Sequence, residues 1–164
     1  FPDAWEAYVA AIPSAEHHDL LGAFHRRLTG SDAKVQMACA RSWSQWEGST
    51  LSLLPDPARV EQFGGDHFAI AFARIECHYF HNCGFFGRDG QLLEDAARLA
   101  NIPGVIIQGR YDVVTPMQTA WDLHKVWPQA ELVVVPDAGH TATEPGIADA
   151  IVRATDGFRH ARNT

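Results

Sequence analysis

The fold class of this chain follows from one short stretch, VIIQGRYD at residues 105–112. Its first three residues are β-branched and apolar and are bounded by turn-forming residues, which predicts a strand buried on both faces. A second apolar run, LVVV at residues 132–135, follows a helix that we expect Thr115 to cap, with Pro116 at its first position. Strand, helix and strand in this order predict a parallel pair joined by a right-handed crossover.

The two halves of the chain differ in pattern. Residues 1–89 carry apolar side chains at helical spacing between short breaks and contain no convincing strand. One helix, predicted from His67 to about Phe80, includes the run FAIAFA, which is apolar nearly all round and so predicts a buried helix. We therefore expect an all-helical domain at residues 1–89 and part of a parallel α/β domain at residues 90–164.

Two strands are too few for a stable sheet of this kind. A parallel sheet needs cover on both faces and more than two strands. The chain begins with Phe1, and no signal-peptide pattern follows it. We expect the rest of the sheet to come from sequence outside these 164 residues.

Composition and charge narrow the classes of function. The chain is 46% hydrophobic and 20% charged, as is typical of a soluble globular domain. Its net charge of −7 disfavours a nucleic acid or an anionic membrane as partner. No apolar run is long enough for a transmembrane helix. Three cysteines do not form an even disulfide framework, so we expect free thiols in a reducing compartment, the cytoplasm.

Two cysteines and two histidines lie close together in the sequence and raise the possibility of a metal site. They are Cys77, His78, His81 and Cys83. Their spacing matches no common zinc pattern. We therefore favour packing and local hydrogen bonds for these residues and expect no metal ion.

Charged side chains follow both predicted strands. Asp112 ends the stretch GRYD, and His140 ends the stretch PDAGH at residues 136–140. The carboxyl ends of adjacent parallel strands lie at one edge of the sheet, where ligands bind. An Asp followed about thirty residues later by a His fits the order Ser, Asp, His of α/β-hydrolases. Asp112 would orient the imidazole of His140, which would accept the serine proton. The alternative is a turn-capping Asp and an ordinary loop His.

The sequence does not contain a recognisable nucleophile. The elbow pattern G-x-S-x-G does not occur in it, and none of the cysteines follows a predicted strand in such an elbow. Ser49 lies beside Gly48, but after a predicted helix rather than between a strand and a helix. We expect the nucleophilic serine to lie outside these residues and the chain by itself to be inactive, because a triad acts as a unit.

Several motifs together resemble those of the proline iminopeptidases, which are α/β-hydrolases. In the second half they are GRYD at 109–112, TP at 115–116, AWDLH at 120–124 and AGH at 138–140. In the first half WSQWEG at 43–48 and FARIECHYF at 72–80 look like motifs of the family's cap domain. The resemblance covers nearly the whole chain. It implies the C-terminal part of an α/β-hydrolase, with a parallel βαβ unit plus helices, preceded by an all-helical cap domain.

The resemblance also implies a function. The parent enzyme would be a serine aminopeptidase that releases N-terminal proline from peptides, with Asp112 and His140 as catalytic residues. Glu47 and Glu76 would bind the N-terminal amine of the substrate. The partners implied are a peptide with N-terminal proline and the N-terminal half of the hydrolase, and no cofactor is required.

The two glutamates also make physical sense without the resemblance. Glu76 lies on the helix predicted to be buried, and Glu47 follows two tryptophans. Carboxylates in such surroundings need a partner, and a substrate ammonium group would supply one. The alternative is that each glutamate pairs with an arginine, such as Arg41 or Arg74. Four nearby aromatic residues, interpreted as core residues, are left outside the site: Trp43, Trp46, Tyr79 and Phe80.

Two other classes of function stay open. Another capped α/β-hydrolase, such as an esterase or an epoxide hydrolase, would have the Asp and His but no use for paired acids in its cap. A non-catalytic interaction fragment would explain the lack of a nucleophile in the chain itself.

Overall fold

A computed structural model of the protein describes residues 1–161. The chain forms two compact units. The first comprises Phe1–Thr50 and Pro55–Gly87, and the second comprises Leu51–Leu54 and the residues from Arg88 onward. None of the helices among the described residues combines the length and apolar character needed to cross a bilayer.

The first unit is entirely helical. Its helices are α1 (Pro2–Val9), α2 (Leu20–Leu28), α3 (Ala33–Thr50), α4 (Pro57–Phe63) and α5 (Asp66–His81), with 3-10 turns at Ser14–Asp19 and Cys83–Phe85. Helix α3 packs against each of the other four. The core combines aromatic side chains, one leucine and small side chains from α1, α2, α3 and α5, namely Tyr8, Phe24, Leu28, Trp43, Ala69, Ala73 and Cys77.

Two helix starts in this unit are set by local capping. The 3-10 turn at Ser14–Asp19 gives way to an α-helix only at Leu20, because Asp19 takes the N-cap position and accepts the Gly22 N–H at 3.0 Å. Helix α4 was not predicted from the apolar pattern. Its start is nevertheless encoded locally, since the Asp56 side chain accepts the Arg59 N–H at 3.0 Å and Pro57 occupies the first turn.

The sequence predicts that α5 is buried, but the first unit buries only one face of this helix. Only its small residues are buried, at positions 69, 73 and 77, which recur at the spacing of one helix face. Large apolar residues on its other faces are exposed, including Phe68 at 40% and Ile75 at 62%. The sequence shows that α5 is apolar on most of its faces, but it does not show which of these faces other helices cover. In this unit only the face with the small residues is covered.

The second unit contains the sheet. It consists of α6 (Gln91–Asp95), a 3-10 turn (Ala96–Leu99), β1 (Gly104–Gly109), α7 (Met117–Val126), β2 (Ala130–Val135) and α8 (Pro145–Ala161). Strands β1 and β2 are parallel, in register from Gly104 opposite Ala130 to Gly109 opposite Val135. The predicted strand–helix–strand unit is therefore confirmed. Helix α8 packs on the sheet through Ile147 and Ala150.

Candidate active site

The carboxyl ends of β1 and β2 bring Asp112 and His140 together. Asp112 lies three residues after β1 ends, and His140 lies five residues after β2 ends. Because the strands are parallel and adjacent, both loops leave the same edge of the sheet. His140 Nδ1 lies 2.9 Å from Asp112 Oδ2. The side chain of Asp112 is 5% exposed and that of His140 is 34% exposed, so the acid is enclosed while the imidazole stays accessible.

Asp112 is held by several donors. Its Oδ1 accepts the backbone N–H groups of Val114 at 2.9 Å and Thr115 at 2.8 Å. Its Oδ2 accepts the Thr115 hydroxyl at 2.8 Å and the Gln108 side-chain amide at 3.3 Å, in addition to His140. Burial opposes ionisation of Asp112, but the hydrogen bonds from Thr115 and His140 outweigh it and keep the pKa of this carboxyl below its usual value. The aspartate is therefore present as a fixed anion, placed to accept a hydrogen bond from a protonated His140 Nδ1.

The expected cap at Thr115 is wrong. Helix α7 begins at Met117, and Pro116 occupies the N-cap position with an extended ψ of 148°. The Thr115 hydroxyl turns to Asp112 instead and also lies 3.1 Å from His140 Nδ1. Thr115 is thus part of the Asp–His site, and so is the buried Gln108. Sequence reasoning missed both, because a Thr–Pro pair is also a common helix start and a Gln at a strand end carries no specific signal.

Close backbone packing explains two glycines of the site. A Cβ at Gly109 would collide with the carbonyl oxygen of Gly139 and lie 2.7 Å from that of Ala138. A Cβ at Gly139 would lie 2.8 Å from the Leu53 nitrogen. Contacts below 3 Å force the backbone to move, so these loops need glycine to bring Asp112 and His140 into reach.

The predicted acid pair lies in the helical unit. Glu47 is on α3 and Glu76 on α5, two helices that pack against each other. Burial raises the pKa of Glu47 to about 7, and the negative charge of Glu76 adds to the shift. The indole N–H of Trp43 donates to Glu76 Oε2 at 2.6 Å.

The alternative that an arginine pairs with each glutamate is contradicted for Glu47. Within residues 1–161 no ion pair involves Glu47, and Arg41 pairs with Asp66 instead. Arg74 is exposed. Ionised Glu47 is thus a half-buried anion that a bound cation would stabilise.

The aromatic residues near the acids divide into two groups. Trp43 is buried in the core, as interpreted from the sequence, but its N–H also holds Glu76, a contact that the sequence did not indicate. Tyr79 and Phe80 are each 53% exposed, so their interpretation as core residues is wrong. Phe80 nevertheless contacts the core from its edge, since its ring centroid lies 6.1 Å from that of Trp43.

The suggested metal cluster is not assembled. Cys77 is buried and directs its thiol to the Leu21 carbonyl oxygen, whereas His78, His81 and Cys83 are exposed. Within residues 1–161 no three His, Cys, Asp or Glu side chains come together as metal ligands.

Comparison with known proteins places the chain in a family. The family model for the alpha/beta hydrolase fold matches residues 1–146. The chain belongs to the α/β-hydrolase fold family.

Individual relatives are more specific. The chain is 59% identical over 158 residues to a proline iminopeptidase of Xylella fastidiosa (strain 9a5c), a match that covers 96% of this chain and 50% of the relative. It is 48% identical over 157 residues to a proline iminopeptidase of Arabidopsis thaliana, covering 95% and 41%. It is 38% identical over 156 residues to one of Neisseria gonorrhoeae, covering 95% and 49%.

The resemblance to proline iminopeptidases that the motifs indicate is therefore confirmed. The chain spans about half the length of the curated relatives that it matches.

Proposed function

We propose that this chain supplies the cap domain, residues 1–89, and the Asp–His part of the core, residues 90–164, of a serine-type proline iminopeptidase. The observation that carries the proposal is the 2.9 Å contact between His140 Nδ1 and a buried, ionised Asp112. The similarity to proline iminopeptidases supports the substrate class, a peptide with N-terminal proline. No metal or cofactor is needed for this chemistry.

The roles follow from the hydrogen bonds. Asp112 accepts a hydrogen bond from the Nδ1–H of His140, which keeps the proton on Nδ1 and the lone pair on Nε2. Nε2 takes the proton of a serine hydroxyl as its oxygen attacks the prolyl carbonyl, and His140 then returns the proton to the leaving amine. Water repeats the sequence to release proline from the acyl-enzyme. Residues 1–164 contain no G-x-S-x-G pattern, so the serine lies in sequence outside them and these residues alone are inactive.

Glu47 and Glu76 give the proposed enzyme its requirement for a free amino terminus. A half-buried carboxylate with a raised pKa beside a second one is unfavourable until a cation arrives. The α-ammonium group of a peptide is such a cation. Trp43 holds Glu76 in place through its indole N–H, so one member of the pair has a fixed orientation before substrate binds.

A reducing compartment, the cytoplasm, fits the thiols. Cys39, Cys77 and Cys83 are all unpaired, and two of them are buried. Buried free thiols are typical of proteins that never meet an oxidising environment.

The proposal is tested with a small set of substrates on the intact protein, meaning these residues together with the part of the enzyme that carries the nucleophilic serine. We expect release of the arylamine from a prolyl arylamide, and a kcat/KM at least about 100-fold lower when the proline nitrogen is acetylated, because acetylation removes the cation that the acids bind.

Hydrolysis of simple aryl esters or epoxides in preference to the prolyl arylamide would instead identify an esterase or an epoxide hydrolase. Binding of a partner without turnover of any of these substrates would identify a non-catalytic interaction module.

A further inference from the structure

The loop that carries His140 is held by a carboxylate with no role in the site described so far. Glu144 lies directly before Pro145, the first residue of α8. Its Oε2 accepts the Gly139 N–H at 2.7 Å, and its Oε1 accepts the Leu53 N–H at 2.9 Å. Gly139 lies in the loop after β2, and Leu53 lies in the segment Leu51–Leu54. The Glu144 side chain therefore connects these two segments of the second unit.

The same two segments are joined by their backbones. The N–H groups of His140 and Thr141 both donate to the Leu51 carbonyl oxygen, at 2.8 Å and 3.0 Å. Gly139 packs so closely on this segment that an added Cβ would lie 2.8 Å from the Leu53 nitrogen. The backbone at His140 is therefore held on both sides of its α-carbon, and the Glu144 carboxylate holds the peptide group immediately before it.

A carboxylate suits this position for a physical reason. It offers two acceptor oxygens and no donor, so it can satisfy two N–H groups at once with charge-assisted hydrogen bonds. A glutamine of the same shape has one acceptor oxygen, and its amide group would face an N–H donor. Both donors lie outside α8, so the side chain does not act as an ordinary cap of that helix.

We propose that Glu144 is a positioning residue for His140. By fixing the Gly139 peptide group against residues 51–53, it holds the imidazole where Nδ1 reaches Asp112 Oδ2 and Nε2 keeps a constant position. The catalytic consequence rests on the proposed function, whereas the effect on the His140–Asp112 contact does not.

The test compares three variants of the intact protein: Glu144→Gln, Glu144→Ala and the control Glu131→Gln. Glu131 is exposed on β2, so the control makes the same chemical change in the same unit without touching the loop. Two quantities are measured. One is kcat and KM on a prolyl arylamide, and the other is the proton NMR signal of the His140 Nδ1–H, assigned by its loss in a His140→Gln variant.

We expect Glu144→Gln to lower kcat by about 10-fold to 100-fold, the loss that small displacements of catalytic groups produce, with KM within about twofold. The Nδ1–H signal should broaden or move upfield as the contact with Asp112 loosens. Glu144→Ala should show the same pattern at least as strongly, and Glu131→Gln should change neither quantity.

Several outcomes would overturn the proposal. One is an unchanged Nδ1–H signal in Glu144→Gln, whether kcat falls or not. Another is a lower melting temperature with kcat and the signal unchanged, which would give Glu144 a role in folding alone. If the signal responds as expected but the unsubstituted protein does not cleave prolyl arylamides, positioning stands and the proposed function fails.

Discussion

Replacing Asp112 with Asn in the intact protein is expected to lower kcat on a prolyl arylamide by about 10⁴-fold, the effect of the equivalent change in a serine protease triad. The amide keeps the shape of the carboxylate but presents an N–H₂ group that can face His140 Nδ1. The imidazole then carries its proton on Nε2 and cannot accept one from the nucleophile. KM should change little, because Asp112 is enclosed and does not contact the substrate.

The control for this variant is Asp137→Asn. Asp137 lies in the loop that follows β2 and is exposed, so the same substitution there should leave kcat within about twofold. Circular dichroism and the melting temperature show whether either protein loses its fold. A folded Asp112→Asn protein that retains more than a tenth of the activity would show that Asp112 is not the partner of a catalytic histidine.

The parts of the fold that the sequence predicted are those with a strong local signal. The runs at residues 105–107 and 132–135 are short, apolar and rich in β-branched residues, and the strands β1 and β2 lie there. Asp112 and His140 could be paired in advance because residues after adjacent parallel strands must share one edge of the sheet. Which residues share this edge depends only on the order and direction of the strands, so the pairing could be predicted without knowing how the side chains pack.

The features that could not be predicted are tertiary contacts, in which a side chain has more than one available partner. Thr115 has the sequence context of a helix cap, but a buried aspartate three residues earlier in the chain offers its hydroxyl a stronger acceptor. The run on α5 shows that the helix is apolar but not which faces the unit covers. The contact between Trp43 and Glu76 joins residues on two helices, and no periodicity within either helix reports it.

The pH dependence of the reaction should reveal the raised pKa of Glu47. An ammonium ion binds the ionised carboxylate, and the pKa of this group lies at about 7 before substrate binds. As the pH falls below 7 the carboxyl takes up a proton and amine binding weakens, while the α-ammonium itself stays charged because its pKa is about 8.

We therefore expect the ratio of kcat/KM for a prolyl arylamide to kcat/KM for an aryl ester to fall by up to about tenfold per pH unit below 7. The ester serves as an internal control, since it reports the titration of the catalytic residues alone. The dependence of the ratio on pH should disappear in Glu47→Gln, and a ratio that is flat between pH 5.5 and pH 7.5 in the unsubstituted protein would contradict the assignment of Glu47.

Removing the charge of Glu47 or of Glu76 should strongly lower kcat/KM for substrates with a free amino terminus. In the intact protein, Glu47→Gln and Glu76→Gln are each expected to lower kcat/KM on a prolyl arylamide by about 2–5 kcal/mol, the range for truncating one member of a buried charge pair. This corresponds to about 30-fold to 5,000-fold. The matched control is Glu61→Gln, which makes the same change at an exposed position on α4 and should leave kcat/KM within about twofold.

Selection of a free amino terminus by Glu47 and Glu76 can be tested by comparing two substrates. kcat/KM is measured for Glu47→Gln and Glu76→Gln on a prolyl arylamide and on a small aryl ester that carries no amino group. If the two acids bind the ammonium group, we expect a large loss on the arylamide and little change on the ester, because the ester never contacts the acids. Equal losses on both substrates would contradict it and would assign Glu47 and Glu76 to the fold of the helical unit rather than to substrate recognition.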